Sequence, residues 1–190
     1  MLKKIRTPLK ILYVILAAVL LFVLYIYSQK TYLKNAYPIK YSEYVEQYAQ
    51  KYDLDPYFVY SIIRTESDFT PSATSSIGAR GLMQITEETF DWIKNRLGDK
   101  ESDYYSMYEP QKAVEYGTYL LKYLTDTLGS QENVLCGYHA GVNRAKEWIS
   151  SPDISKDGTV IVDKIPYEDT KNYVNKVNKT YKTYLNLYSK

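Results

Sequence analysis

Nineteen consecutive residues, Ile11 to Gln29, carry no charge, and Ile11 to Tyr27 is almost wholly apolar. At the helical rise this run is roughly 28 Å long, close to the thickness of a bilayer's hydrocarbon core. Tyr25 and Tyr27 stand where an aromatic belt would meet the membrane interface. A cleaved signal peptide is the competing reading. Its apolar region usually has about 7–15 residues and ends at small residues, whereas this run is longer and ends Tyr-Ile-Tyr-Ser-Gln-Lys. The contrast favours an uncleaved anchor. Lys3, Lys4, Arg6 and Lys10 precede the span, which places the N-terminus in the cytoplasm, although Lys30 and Lys34 beyond it weaken the bias. The expected organisation is a cytoplasmic tip and single transmembrane helix over 1–29, a polar tether over 30–40, and an extracytoplasmic domain over 41–190.

The net charge of +2 hides an asymmetry. Residues 1–40 hold seven basic residues and no acid, which leaves 17 basic against 22 acidic residues in 41–190. The folded part therefore lacks the basic footprint of a nucleic-acid binder. Cys136 is the only cysteine, so an intrachain disulfide is excluded, as is a lipid-modified cysteine after the apolar run. Cys136 and His139 have a CxxH spacing, but with no other Cys or His a structural zinc site is not expected. Tyrosine is abundant, 23 residues against 4 Phe and 2 Trp. Most of these read as amphipathic core filler, with some available to stack on sugar rings.

Beyond the tether the chain reads as helices. Tyr41 to Lys51 carries Tyr44, Val45, Tyr48 and Ala49 on one stripe. Asp55 and Pro56 are an N-cap and N1 pair that opens the next helix. Thr86 caps a helix from Glu87 to about Leu97, with Phe90, Ile93 and Leu97 inward and Gly98 as its stop. Residues 99–109 read as a loop holding Tyr104, Tyr105 and Tyr108. Pro110 begins the longest soluble helix, to about Leu128, with Val114, Gly117, Leu120, Leu121 and Leu124 as its stripe and Gly129 beyond its end. Gly117 inside that stripe suggests the close approach of another backbone. Asn133 to Trp148 reads as two short helices around Gly141, residues 150–158 as a polar loop, and Thr159 to Ile165 as a weak β-like run. A last helix runs from about Glu168 to Leu187, its inner face Tyr173, Val174, Val177, Tyr181, Tyr184 and Leu185.

The chemistry concentrates in residues 59–84. Val59, Ile62, Ile63 and Glu66 fall at i, i+3, i+4 and i+7, one face of a helix. A lone glutamate at such a position most often turns to water. If it stays on the apolar stripe, it loses hydration and its pKa rises, as a general acid requires. Pro71 and Ser72 to Ser76 then form a polar loop punctuated by Gly78 and Gly81. Folded back, that loop sets hydroxyls, N–H groups and Gln84 against the helix end. No partner carboxylate is evident: Asp68 points away on the helix, and Glu87, Glu88 and Asp91 suit a solvated helix start.

Glu66-Ser67, Gly81-Leu82-Met83-Gln84 and Gly137-Tyr138-His139-Ala140-Gly141 resemble, in order and spacing, the motifs of the lytic transglycosylases with a goose-type-lysozyme-like fold. Tyr108-Glu109-Pro110, then Gly117, Tyr119 and Leu120, then Ile165-Pro166-Tyr167 with Thr170, Tyr173 and Val174, extend the resemblance from about Tyr41 to the C-terminus. It implies a mainly α, lysozyme-like (SLT-type) helical domain with minor β. It implies that Glu66 is the catalytic acid and base, that Ser75 lines the reacting sugar, and that Met83 and Gln84 line the cleft and contact substrate. Tyr138, His139 and Tyr173 would stand beside them as substrate-binding residues. The chain departs from the pattern where His139 replaces an Asn, Gly137 an Ala and Asp169 a Glu; His139 could tune pH dependence or simply replace the Asn as a hydrogen-bonding residue. The implied activity is cleavage of the bond between N-acetylmuramic acid and N-acetylglucosamine in peptidoglycan glycan strands, assisted by the substrate's own N-acetyl group and closing a 1,6-anhydro ring, with no metal or organic cofactor. A muramidase that hydrolyses the same bond, and a non-catalytic wall-binding or assembly module, are the alternatives. A coiled-coil scaffold lacks any sustained heptad pattern.

Overall fold

The computed structural model describes residues 6–189; Lys3 and Lys4 of the expected cytoplasmic tip lie outside them. The chain divides after Pro38 into two compact units, the second being Ile39–Lys190 with its own core.

The first unit is essentially one helix, α1 (Arg6–Ala36). From Leu9 to Ala36 it is long and apolar enough to cross a membrane, and none of its most apolar stretch is buried. It runs through most of the expected tether. No Gly or Pro interrupts residues 30–36, and the hydroxyls of Ser28 and Thr31 bond back to the carbonyls of Tyr25 and Tyr27 within the helix. Pro38 stops it, because a residue preceding proline is driven out of the α region.

The second unit is built from α2 (Ser42–Lys51), α3 (Pro56–Ser67), α4 (Glu87–Leu97), a 3₁₀ turn (Tyr104–Tyr108), α5 (Pro110–Leu128), α6 (Gln131–Ala140), α7 (Val142–Ser150), a hairpin of β1 (Ser155–Lys156) and β2 (Thr159–Val160), a second 3₁₀ turn (Val162–Lys164) and α8 (Glu168–Tyr188). The local signals explain most of these bounds. Asp55 caps α3 by accepting from the Tyr57 N–H at 2.8 Å, and Pro56 occupies its first position. Thr86 caps α4, and Gly98, left-handed at φ 67°, ends it.

α5 lies at the centre, packed by α2, α4, α6 and the first 3₁₀ turn, while α3 and α8 pair along their lengths. Val59, Ile62, Ile63, Leu82, Met83, Ile93, Val114, Leu121, Leu135, Val174 and Val177 are wholly buried. Tyr60, Tyr116 and Tyr184 are among the largest fully buried side chains, so tyrosine is indeed core filler here. On α8, Tyr181 is half-buried, meets Phe58 of α3 edge-on with centroids 5.7 Å apart, and reaches Asp55 through its hydroxyl at 2.6 Å.

Three local expectations change. The 99–109 loop contains the 3₁₀ turn, started by the Asp103 carboxylate, which accepts from the N–H groups of Tyr105 and Ser106. The β-like run is shorter and pairs inside the expected loop: β1 and β2 are antiparallel, with Ser155 opposite Val160. Asp157 and Gly158 both take positive φ, as a two-residue hairpin turn demands, and Asn133 of α6 bonds Gly158 O and Val160 N to hold the hairpin down. Gly117 admits a side chain rather than a backbone: a Cβ there would stand 2.1 Å from Met83 Sδ.

Candidate active site

Glu66 sits in the last turn of α3, and two consecutive left-handed residues, Asp68 (φ 48°) and Phe69 (φ 61°), turn the chain sharply away just beyond it. The helix end is sewn to the following loop by Ser67, whose hydroxyl donates to Leu82 O at 2.9 Å. Gly81 makes that turn feasible. Its φ is 74°, and a Cβ would lie 1.8 Å from the carbonyl oxygen of Met107, so only glycine fits both the conformation and the space.

Glu66 keeps the apolar register read from the sequence. Val59, Ile62 and Ile63 beneath it are fully buried and its own side chain is half-buried. Desolvation pushes its carboxyl up to about 7, against the opposing pull of the Tyr173 hydroxyl and the Lys176 ammonium. Tyr173 Oη is buried and closes no hydrogen bond of ordinary geometry, yet it is near enough to the carboxyl to favour its anion. Lys176, one turn further along α8, approaches the carbonyl of Thr65 at 3.4 Å. Asp68 is exposed and ion-paired with Arg64 on the same helix. No carboxylate is among the groups that shift Glu66.

The other walls come from α6 and the loop. Tyr138 donates its hydroxyl to Met83 O at 2.6 Å, and its ring lies nearly parallel to that of Tyr173, with centroids 6.5 Å apart. Burial raises both phenols well above their ordinary range, and the charge of Glu66 adds to this; both remain neutral. The His139 ring lies 4.6 Å from that of Tyr173, with Nδ1 3.1 Å from Thr170 Oγ1. Partial burial lowers the imidazole's pKa and Asp169 pushes it back up. His139 also opens onto a shallow cavity of about 500 Å³ bordered by Tyr167, Glu168 and Asp169.

Ser75 closes a turn: its Oγ accepts from Ala79 N at 3.1 Å and its carbonyl from Gly78 N at 3.0 Å. Gln84 donates through Nε2 to Ala73 O at 3.2 Å and Gly81 O at 3.0 Å, so its amide nitrogen braces the loop and leaves Oε1 to accept. Met83 corrects the expectation. Its side chain has no exposed surface and fills the space left by Gly117. It reaches the site only through its backbone carbonyl, and the side chain has no face to offer a substrate.

Several residues that shape the site were not singled out by their spacing. Tyr104 donates to Gly78 O and Ile85 O at 2.6 and 2.9 Å, and Tyr108 bonds Thr74 Oγ1 at 2.7 Å. Arg80 lies over the rings of Tyr104, Tyr105 and Tyr108 at 4.0, 4.7 and 5.4 Å. The 3₁₀ turn thus buttresses the loop that carries Ser75 and Gln84. The run of tyrosines in 104–108 was the available signal. Thr170 carried one only as part of the C-terminal motif block, and Lys176 carried none, because its role comes from the packing of α8 on α3. Among the described residues no group of three or more His, Cys, Asp or Glu could hold a metal ion. Cys136 is buried, its thiol pushed up to about 12 by desolvation.

Comparison with known proteins places this arrangement. The family model described as "Transglycosylase SLT domain" matches residues 43–161. The chain is 27% identical over 150 residues to the soluble lytic murein transglycosylase of Salmonella typhimurium, covering 77% of this chain and 23% of that protein. It is 28% identical over 168 residues to the membrane-bound lytic murein transglycosylase C of Yersinia enterocolitica, covering 76% of this chain and 46% of that one. The crystal structure of the 70 kDa soluble lytic transglycosylase of Escherichia coli superposes with a TM-score of 0.75 at 25% identity, over 81% of this chain and 25% of that one. The chain thus spans less than a quarter of the length of the Salmonella relative.

Proposed function

We propose that this chain, which belongs to the transglycosylase SLT-domain family, is a membrane-anchored peptidoglycan lytic transglycosylase with Glu66 as its acid and base. The observation that carries the reading is a single half-buried carboxyl, held at about 7 by desolvation, with one phenol and one ammonium acting on it and no second carboxylate among the groups that shift it. Glycosidases ordinarily need two carboxylates, one of them to act as nucleophile or to activate water. A site with one suits a reaction in which the substrate supplies the other group.

Protonated Glu66 gives its proton to the glycosidic oxygen between N-acetylmuramic acid and N-acetylglucosamine, and the C1–O bond breaks. The muramic acid's N-acetyl oxygen stabilises the cation at C1. The glutamate anion then takes the proton of the same sugar's C6 hydroxyl as that oxygen closes on C1. The acid is regenerated and no water is consumed. Tyr138, Tyr173 and His139 form the wall beside the reacting sugar, and Ser75 and the Gln84 carbonyl oxygen face it from the loop. α1 is the anchor, and the basic residues before its uncharged run put the N-terminus in the cytoplasm, with the domain from Ile39 onward on the wall side.

Digestion of purified peptidoglycan by the full chain in detergent, followed by mass spectrometry, tests this. Wild type is expected to release fragments with 1,6-anhydromuramic ends, lighter by one water than hydrolysis products, and Glu66→Gln to release none. Reducing muramic ends would instead identify a muramidase, and binding without release a non-catalytic module.

A further inference from the structure

His139 stands in the last turn of α6 and meets α8 at two residues one turn apart, Thr170 and Tyr173. Residues three apart on a helix share a face, so a single imidazole touches both. Its Nδ1 lies 3.1 Å from Thr170 Oγ1, and its ring lies 4.6 Å from that of Tyr173 at a tilt of 31°. Thr170 and Tyr173 are buried, whereas His139 is exposed and borders the cavity beside Tyr167. The imidazole is thus laid from outside over the Tyr173 ring and fixed there by a buried hydroxyl. The Tyr173 hydroxyl is itself buried, closes no hydrogen bond of ordinary geometry, and acts on Glu66. No bond to a fixed partner holds that hydroxyl, so its place depends on what holds the ring. Tyr138 lies parallel to the ring at 6.5 Å; the imidazole is nearer.

We propose that His139 is a positioning residue: by bonding Thr170 and packing on Tyr173 it fixes the Tyr173 hydroxyl against the Glu66 carboxyl. The proposal rests on Glu66 being the acid and base, as assigned above, and adds what sets its proton affinity from a second helix. The titratable groups around the imidazole are Tyr167, Glu168, Asp169 and Tyr173 on the α8 side and Tyr138 on α6, with Glu66 of α3 beyond the Tyr173 ring. Burial lowers the imidazole from 6.5 and Asp169 offsets only part of this. His139 is therefore mostly neutral where Glu66 titrates, at about 7, and acts by place, not by charge. Without the imidazole the Tyr173 ring is free to turn and its hydroxyl favours the anion less. The Glu66 carboxyl then keeps its proton to higher pH.

The test reads the Glu66 proton without substrate, so its failure is distinct from failure of the lytic reaction. The full chain in detergent, with isotope-labelled glutamate carboxyls, is titrated by NMR, and the Glu66 signal is identified by its loss in Glu66→Gln. His139→Ala is expected to raise the Glu66 midpoint by roughly 0.5–1 pH, as a weakened hydrogen bond to an anion would. Tyr173→Phe should raise it as well, and adding His139→Ala to Tyr173→Phe should raise it no further. His139→Asn, whose amide can still bond Thr170, should fall between wild type and His139→Ala. On peptidoglycan, His139→Ala should lower kcat about three- to tenfold with KM retained, whereas loss of a residue that only lined the sugar would raise KM. If His139→Ala fails to fold, Thr170→Val, which removes the bond and keeps the shape, decides the same question by the same midpoint. A midpoint that stays or falls, a rise undiminished in the Tyr173→Phe background, or an effect on KM alone overturns the proposal.

Discussion

Tyr138 donates its hydroxyl to the carbonyl oxygen of Met83 at 2.6 Å. The bond joins α6 to the Gly81–Gln84 turn directly beside Glu66, and it is made by a residue whose neighbour in the bond offers only backbone. Tyr138→Phe keeps the ring against Tyr173 and removes the donor. The expected loss is about 1 kcal/mol of stability, measured by urea unfolding. Activity on peptidoglycan should fall on the order of tenfold as the turn loosens around the reacting sugar.

A general acid must hold its proton to act. With the Glu66 carboxyl at about 7, the rate should fall as pH rises through neutrality, and this sets the alkaline limb of the profile. Lys176 favours the anion and so holds that limb down. Lys176→Met should move it to higher pH, a shift read from the clearing of sacculi across a pH series.

The same burial has a consequence for stability. The Glu66 pKa is raised in the folded state, so the native protein binds the proton more tightly than the unfolded chain. Stability is therefore unaffected below the unfolded value of 4.5 and is lost as pH rises from there to about 7. Above that the penalty reaches at most ~3 kcal/mol, less to the extent that solvent reaches the half-buried group. Glu66→Gln should stabilise the Ile39–Lys190 unit near pH 8 and leave it unchanged near pH 4, as followed by denaturant unfolding.

Two glycines define the site's scaffold. Gly81→Ala would place a methyl 1.8 Å from Met107 O at a φ of 74°. The backbone cannot yield cheaply there, and a loss of several kcal/mol, on the order of 3, is expected. Gly117→Ala meets Met83 Sδ at 2.1 Å and Cβ at 2.9 Å. A cost of about 1–3 kcal/mol is expected, with partial recovery in the double variant carrying Met83→Ala. Thermal unfolding of the two single variants and the double variant checks both.

The helices were legible because their signals are local. Asp55 with Pro56, Thr86 with Gly98, and Gly141 between α6 and α7 mark ends through the conformation of one or two residues. The first 3₁₀ turn and the β1–β2 hairpin were less legible, since each is only a few residues long and is held by Asp103 or by Asn133 of another element. The tether was read from polarity, but helix propagation through Lys30 to Ala36 depends on the absence of a breaker before Pro38.

By itself the sequence determined that one carboxylate lies on an apolar stripe at the end of a helix, and that one long uncharged segment precedes the folded part. Periodicity and capping are properties of neighbouring residues, so they survive without the rest of the molecule. Only the tertiary structure decided that Met83 faces the core and not the cleft, and that Tyr173 and Lys176 of α8 act on Glu66. Those outcomes depend on which side chain finds space beside which backbone, as Met83 does over Gly117, and on how far packing removes a charge from water. Neither is written in the spacing of residues along the chain.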